Sequence, residues 1–264
     1  MEMETFMIDG KLLEKQLGEL LNVFYTKRKE TLKNLKLIPT LKRKNPYLYR
    51  STGVATGSEI IKQVMAAFIS SSDETLFGNE FFEPLAKWAA SESAKLRADT
   101  MVTVGGASGV DIAVEDAVCY IALAVKSGTK VFNTQSRSQQ ETEFQALRSR
   151  LSKIKKQFRS VVGYGYGRKA KRVSAVRNYE EVAGQDFWEL ITGEADFYLR
   201  IMHCMEEKPK EHAAEFKEEL AKTENRLVKE FLFHFAKEDG AIDWQKLTMF
   251  NSGAKQMKLE KIPI

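Results

Sequence analysis

Leu13, Leu17, Leu20 and Phe24 recur at spacings of four, three and four, which predicts one amphipathic helix from Lys11 to about Lys36. Pro39 and Pro46 then bracket Lys42-Arg43-Lys44, a segment that reads as a loop. Ser58 is a plausible N-cap for a helix through Phe68, with Glu59 in its first turn. The cluster Ser70-Ser71-Ser72-Asp73 interrupts that pattern, and a new stripe begins at Phe77, Phe81, Leu85 and Trp88. Pro84 lies inside this stripe, so the helix either kinks there or starts there.

Over 101–126 the period falls to two. Val110, Ile112 and Val114 alternate with Asp111 and Ala113, and Ile121, Leu123 and Val125 alternate with Ala122, Ala124 and Lys126. This is a β-hairpin with one apolar face; the other face holds Asp111 and Lys126 among alanines. Phe144, Leu147, Leu151, Ile154 and Phe158 then predict a helix over 144–158 whose remaining surface is Arg and Lys. A short strand, Ser160 to Val162, precedes the glycine-rich Gly163-Tyr164-Gly165-Tyr166-Gly167, and two helices are expected around Phe187–Met202 and Glu211–Ala236. The order predicts an α/β fold, a mixed β-sheet flanked by helices with helical N- and C-terminal extensions. We read one domain over 1–264, with a catalytic core at 57–205, a helical and basic extension at 1–56 and a helical extension at 206–264.

Charge changes this picture through its distribution. The net charge is only +5, yet residues 144–179 hold eleven cations and no acid, and residues 31–58 hold six more with none. The remainder carries 24 cations against 36 acids, so basic segments sit on an acidic body and point to a polyanionic partner. An i,i+4 acid would stabilise the basic helix, and its omission suits phosphate binding. The acidic 206–225 region reads as a solvated face turned away from that partner. No apolar run approaches the roughly 18 residues of a membrane span, and the first ten residues are acidic where a signal peptide would be basic, so a cytoplasmic protein is expected. Two cysteines without a CxxC spacing and three histidines, all in the C-terminal quarter, leave carboxylates and lysine as the chemical groups to consider.

Phosphodiester hydrolysis requires hard cations held by carboxylates from separate elements, with a lysine to orient water and stabilise developing charge. Asp111 and Lys126 on one sheet face supply two of these groups, and the preceding helix offers Glu80 and Glu83. The glycine-rich runs at 105–109 and 163–167 fit neither GxxxxGK[ST] nor a dinucleotide site. The second reads as a strand end where the backbone turns closely, with tyrosines placed to stack or contact phosphate.

An acid on one strand and a lysine on the next resemble the PD-(D/E)xK nuclease superfamily. Longer blocks narrow the resemblance: Asn45-Pro46-Tyr47-Leu48-Tyr49-Arg50, the run Ser70 to Gly78, Gly109-Val110-Asp111-Ile112, Val125-Lys126-Ser127-Gly128, Gly184-Gln185-Asp186-Phe187-Trp188-Glu189 and Asp239 to Trp244. Six blocks in order are similar to PmeII-type type II restriction endonucleases. That resemblance implies Mg²⁺-dependent cleavage of double-stranded DNA by a homodimer, with a cognate DNA methyltransferase in the same restriction-modification system. It also implies Asp111, Lys126 and Glu83 as catalytic residues, with Asp111 and Glu83 as metal ligands. The superfamily pattern places an acid two residues before the lysine, where this chain has Ala124, so Glu83 is assigned as the replacement and Glu80 as its substitute.

Asn133 and Gln135, after the lysine strand, are candidates for phosphate or base contacts. Arg148, Arg150, Arg168 and Arg172 are candidates for bidentate guanine contacts, and Lys155 and Lys169 join them as DNA-binding residues. The alternatives are a DNA-binding protein with a degenerate nuclease site, which Ala124 favours, and a repair or transposition nuclease of the same fold. Both basic blocks flank the proposed metal site in sequence, so their seventeen cations are expected to line one cleft with Asp111.

Overall fold

The computed structural model describes residues 7–97, 99–129, 134–169, 178–205, 208–253 and 259. They form two compact units, one drawn from Met1–Phe24 and Thr75–Pro209, the other from Tyr25–Glu74 and Lys210–Ile264.

The first unit is built on a mixed sheet. The period-two segment folds as β1 (Met101–Ala107), β2 (Val110–Glu115) and β3 (Cys119–Gly128), an antiparallel meander in which Ile112 faces Leu123 and Val114 faces Ile121. Gly109, at φ +69°, closes the β1–β2 turn. Asp116 closes the next turn by accepting the N–H groups of Val118 and Cys119, each at 2.7 Å. β4 (Gln157–Tyr166) and β5 (Glu180–Ala183) continue the sheet in parallel, giving the order β1-β2-β3-β4-β5. The helix α6 (Thr134–Arg150) lies between β3 and β4 in sequence, as a parallel crossover requires.

Phe144 and Leu147 of α6 are buried with Ala113, Ala122, Ala124, Val162 and Tyr164. Elsewhere on the sheet α5 (Glu83–Lys95) packs on β1, β2 and β3, and α7 (Gln185–Thr192) on β4 and β5. The glycines of the Gly-Tyr-Gly-Tyr-Gly run make room for these elements. A Cβ on Gly163 would lie 2.4 Å from the Phe187 ring, one on Gly165 would lie 2.8 Å from Phe82, and Trp188 Nε1 donates to the Gly165 carbonyl at 2.9 Å. That run is therefore the middle and end of a strand packed under aromatic rings, with Tyr164 buried.

The predicted helix over 144–158 is corrected. The helix begins at Thr134 and ends at Arg150; Leu151–Lys156 form turns, and Phe158 belongs to β4, which starts at Gln157 instead of Ser160. The Leu151, Ile154, Phe158 spacing is shared by a turn followed by a strand, so it mimicked a continuing helix. The helix expected over Phe187–Met202 is two, α7 and α8 (Phe197–His203), because α7 ends at Gly193, where φ is +78°.

Helix α4 (Gly57–Phe77) runs straight through the Ser70–Asp73 cluster, which does not interrupt it. Its start is capped by Thr56: the Thr56 hydroxyl accepts the Glu59 N–H at 3.3 Å and the Glu59 carboxylate accepts the Ala55 N–H at 2.9 Å. Ser58 lies inside the helix. A π-helical turn, Gly78–Phe82, follows and leads directly into α5, with the Glu83 N–H bonding the Gly78 carbonyl. Pro84 has no N–H to offer, and the change of pairing at this turn accommodates it. Phe77 stacks on Phe81 at 4.4 Å, and the Phe82 ring packs at a tilt against both Tyr166 and Trp188, so an aromatic cluster fixes the turn.

The second unit is helical. Its core joins Leu32, Leu37, Leu41, Ile60, Ile61 and Val64 to Leu227, Phe231, Phe235 and Phe250. α1 (Gly10–Lys33) enters this unit at Tyr25, α9 (Lys208–Phe235) forms where a helix was expected over Glu211–Ala236, and α10 (Trp244–Asn251) follows it. Lys42-Arg43-Lys44, read as a loop, is a turn, and it joins two short helices that the sequence did not announce, α2 (Leu37–Leu41) and α3 (Pro46–Ser51). Pro39 and Pro46 occupy first turns, where their missing N–H would be unpaired anyway, and Asn45 caps α3 by accepting from Tyr47 and Leu48. The acidic stretch of α9 is not merely solvated: Glu215 pairs with Lys29 at 2.5 Å, Glu219 with Lys33 at 3.8 Å and Glu224 with Lys62 at 3.9 Å.

Candidate active site

Asp111 is the second residue of β2, two positions after the glycine turn. Helix α6 holds that turn: Gln140 donates to the Gly109 carbonyl at 2.7 Å and Glu143 accepts the Ser108 hydroxyl at 3.2 Å. Asp111 Oδ2 in turn accepts the Val125 N–H of β3 at 2.7 Å. One carboxylate oxygen is thereby anchored to the strand that carries Lys126.

The helical side of the site is set by the π-helical turn. Gly78 packs so closely on β3 that an added Cβ would lie 3.0 Å from Ser127 Oγ, beside Lys126. From there α5 opens with Glu83, and one turn later Lys87 Nζ donates to Glu83 Oε1 at 2.5 Å. The same ammonium is 3.8 Å from Asp111 Oδ1, the oxygen that Val125 does not use. The side chains of Glu83, Lys87 and Asp111 are all half-buried.

Burial holds the Asp111 carboxyl above the usual aspartate range, and the charge of Glu83 pushes it the same way. The Val125 N–H and the charges of Lys126 and Lys87 act against this. Asp111 and Glu83, chosen from the sequence, thus meet around Lys87, and Lys126 lies near enough for its charge to act on Asp111. Lys87 was missed because an i,i+4 Glu–Lys pair on a helix reads as an ordinary exposed pair. Its only sequence signal was that it follows Glu83 by one turn. Glu80 is half-buried within the π-helical turn. Ala124, where the superfamily pattern has an acid, is fully buried in the core beneath α6.

Among the described residues no three His, Cys, Asp or Glu side chains converge on one point. Two carboxylates nevertheless enclose a cation already, the Lys87 ammonium. An all-oxygen pair with open positions suits a hard ion such as Mg²⁺, which keeps several waters and binds through one or two carboxylates plus phosphate oxygens. Asp111 and Glu83 therefore fit such an ion.

The basic block of 144–179 is less uncompensated than its sequence implied. Lys156 pairs with Glu115 at 2.7 Å, Arg159 grips Glu180 through two bonds of 2.9 and 2.8 Å, and Lys169 pairs with Glu181 at 3.0 Å. Glu181 also accepts the Tyr164 hydroxyl at 2.6 Å. The acids come from other strands, which a linear scan does not reveal. Arg148, Arg150, Lys155 and Arg168 are exposed, Arg148 with its guanidinium 5.4 Å from the Phe158 ring, and Gln135 is exposed in the first turn of α6. Asn133 and Arg172 lie outside the described residues. In the helical unit Lys33, Lys36, Lys42, Arg43 and Arg50 are exposed, as are Tyr47 and Leu48 of α3. No described helix is long and apolar enough to cross a membrane.

Residues 11–213 match the family described as type II restriction endonuclease EcoO109I. No curated protein matches the chain.

Proposed function

Because the chain belongs to the type II restriction endonuclease EcoO109I family, we infer that it cleaves double-stranded DNA at a short sequence with Mg²⁺ as cofactor. The observation that carries the site assignment is the approach of Glu83, from the helix after the π-helical turn, to Asp111 on the central hairpin, through Lys87. Asp111 and Glu83 would hold the metal, which when bound would polarise the scissile phosphate and acidify a water. The Val125 N–H holds Asp111 Oδ2, which would leave Oδ1 for the metal. Lys126 would orient the attacking water in line with the leaving oxygen and stabilise charge on the phosphate, leaving a 5′-phosphate and a 3′-hydroxyl. Exposed Arg148, Arg150, Lys155 and Arg168 would contact the backbone or bases, together with Lys169, Gln135, Asn133 and Arg172.

The finer likeness to PmeII-type enzymes, action as a cytoplasmic homodimer with one site per strand, and a cognate methyltransferase belong to the same reading. Incubation of the purified protein with plasmid DNA in Mg²⁺ or EDTA, followed by mapping of the ends, tests it. Discrete metal-dependent fragments are expected. Binding without cutting in Mg²⁺ or Mn²⁺ would instead favour a degenerate site, for which the buried Ala124 is the supporting observation, and random nicking would favour a repair or transposition nuclease.

A further inference from the structure

Lys87 has no place in the chemistry assigned to Asp111, Glu83 and Lys126, yet it stands between the two carboxylates. An i,i+4 Glu–Lys pair on a helix surface ordinarily contributes little and points to solvent. This one differs in two respects. Its side chain is half-buried, and it reaches past its own helix to Asp111 Oδ1 on β2, 3.8 Å away. Without a cation between them, the like charges of Glu83 and Asp111 would repel each other.

We propose that Lys87 is a positioning residue, a tethered counter-cation that holds Glu83 and Asp111 in place without metal and is displaced from them when the metal binds. The inference rests on the metal-nuclease reading above and deepens it. A dication and an ammonium repel when both sit against the same two carboxylates, so entry of one requires withdrawal of the other. Lysine suits the role, since its charge is compact and its four-carbon stem swings freely from a fixed helix position. Opposite consequences follow for two states of the protein. Lys87 stabilises the metal-free site, and it weakens the apparent affinity for metal by competing with it. A residue that merely shaped the site would, on removal, weaken metal binding.

Calorimetric titration of the full-length protein with Mn²⁺ in the absence of DNA, alongside melting curves with and without Mn²⁺, tests this. Lys87→Met is expected to bind Mn²⁺ about tenfold more tightly than wild type, a change of about 1.4 kcal/mol. It should also melt lower than wild type without metal and recover when Mn²⁺ is added. Lys87→Arg, which keeps the charge, should stay near wild type in both readouts and provides a second folded variant. The metal concentration giving half-maximal cleavage should fall in Lys87→Met in parallel with the affinity. Equal or weaker Mn²⁺ binding by folded Lys87→Met would overturn the proposal while leaving the metal site itself intact. Unchanged Mn²⁺ binding by Asp111→Asn would instead remove the metal site, and the role of Lys87 with it.

Discussion

Two charged clusters, one in each unit, contain similar residues and are built differently. In the helical unit Arg28 grips Asp73 through Nε and Nη2 at 2.7–2.9 Å, lies 3.6 Å over the Phe216 ring and approaches His212 Nε2 at 3.1 Å. One guanidinium meets one carboxylate in matched geometry, and the neutral histidine accepts the remaining donor. In the sheet unit two carboxylates approach each other around a single lysine, with one aspartate oxygen tied to a strand N–H and the other at 3.8 Å from the ammonium. The second keeps like charges close and leaves carboxylate oxygens open, as the proposed cation-binding role would need.

Removing Lys126 should produce a large change that sharpens this contrast. Lys126→Ala is expected to lower single-turnover cleavage by roughly 10²–10³-fold while leaving DNA affinity and the melting temperature near wild type. Quench-flow kinetics beside a filter-binding titration would check it; a matching loss of affinity would assign Lys126 to DNA binding instead. The helical cluster should respond in stability instead. Arg28→Ala leaves Asp73 without its partner and uncovers Phe216, and should cost about 2–3 kcal/mol in a urea denaturation experiment. A cost near zero would mean that solvent already screens the pair.

The smallest expected effect is a pH dependence. Burial, then the charges of Arg28 and Lys29, depress the His212 pKa below its ordinary value of 6.5. A depressed histidine favours folding fully above that value, and the contribution is lost as the pH falls through the folded pKa. Melting temperature should therefore drop as the pH falls below 6.5, and His212→Gln, which can still accept from Arg28 without titrating, should flatten that drop. An unchanged slope in the variant would place the acid sensitivity elsewhere.

Much of the sheet unit was legible because alternation has a strict period. The hairpin of β2 and β3 followed from it, as did the placing of Asp111 and Lys126 on its two strands; its register, with Ile112 opposite Leu123, did not. Glu83 was legible only as one of two helix acids; what singles it out is the π-helical turn, which shifts hydrogen bonding without altering composition except at Gly78 and Pro84. The start of α6 was invisible because Thr134–Glu143 carries no apolar stripe, whereas Phe144 and Leu147 mark its buried end. Lys87 and the acids that meet Lys156, Arg159 and Lys169 were beyond reach for a common reason. Each pairing joins different elements, and sequence spacing reports only contacts within an element.

The two clusters share one residue type that separates their roles directly: an aspartate in each. Cleavage of a DNA duplex bearing the recognition sequence in Mg²⁺ should be measured for Asp111→Asn and Asp73→Asn, at a temperature where both remain folded. The account predicts that Asp111→Asn falls by about a thousandfold or more while Asp73→Asn stays within about twofold of wild type. Full-rate cutting by Asp111→Asn would contradict it.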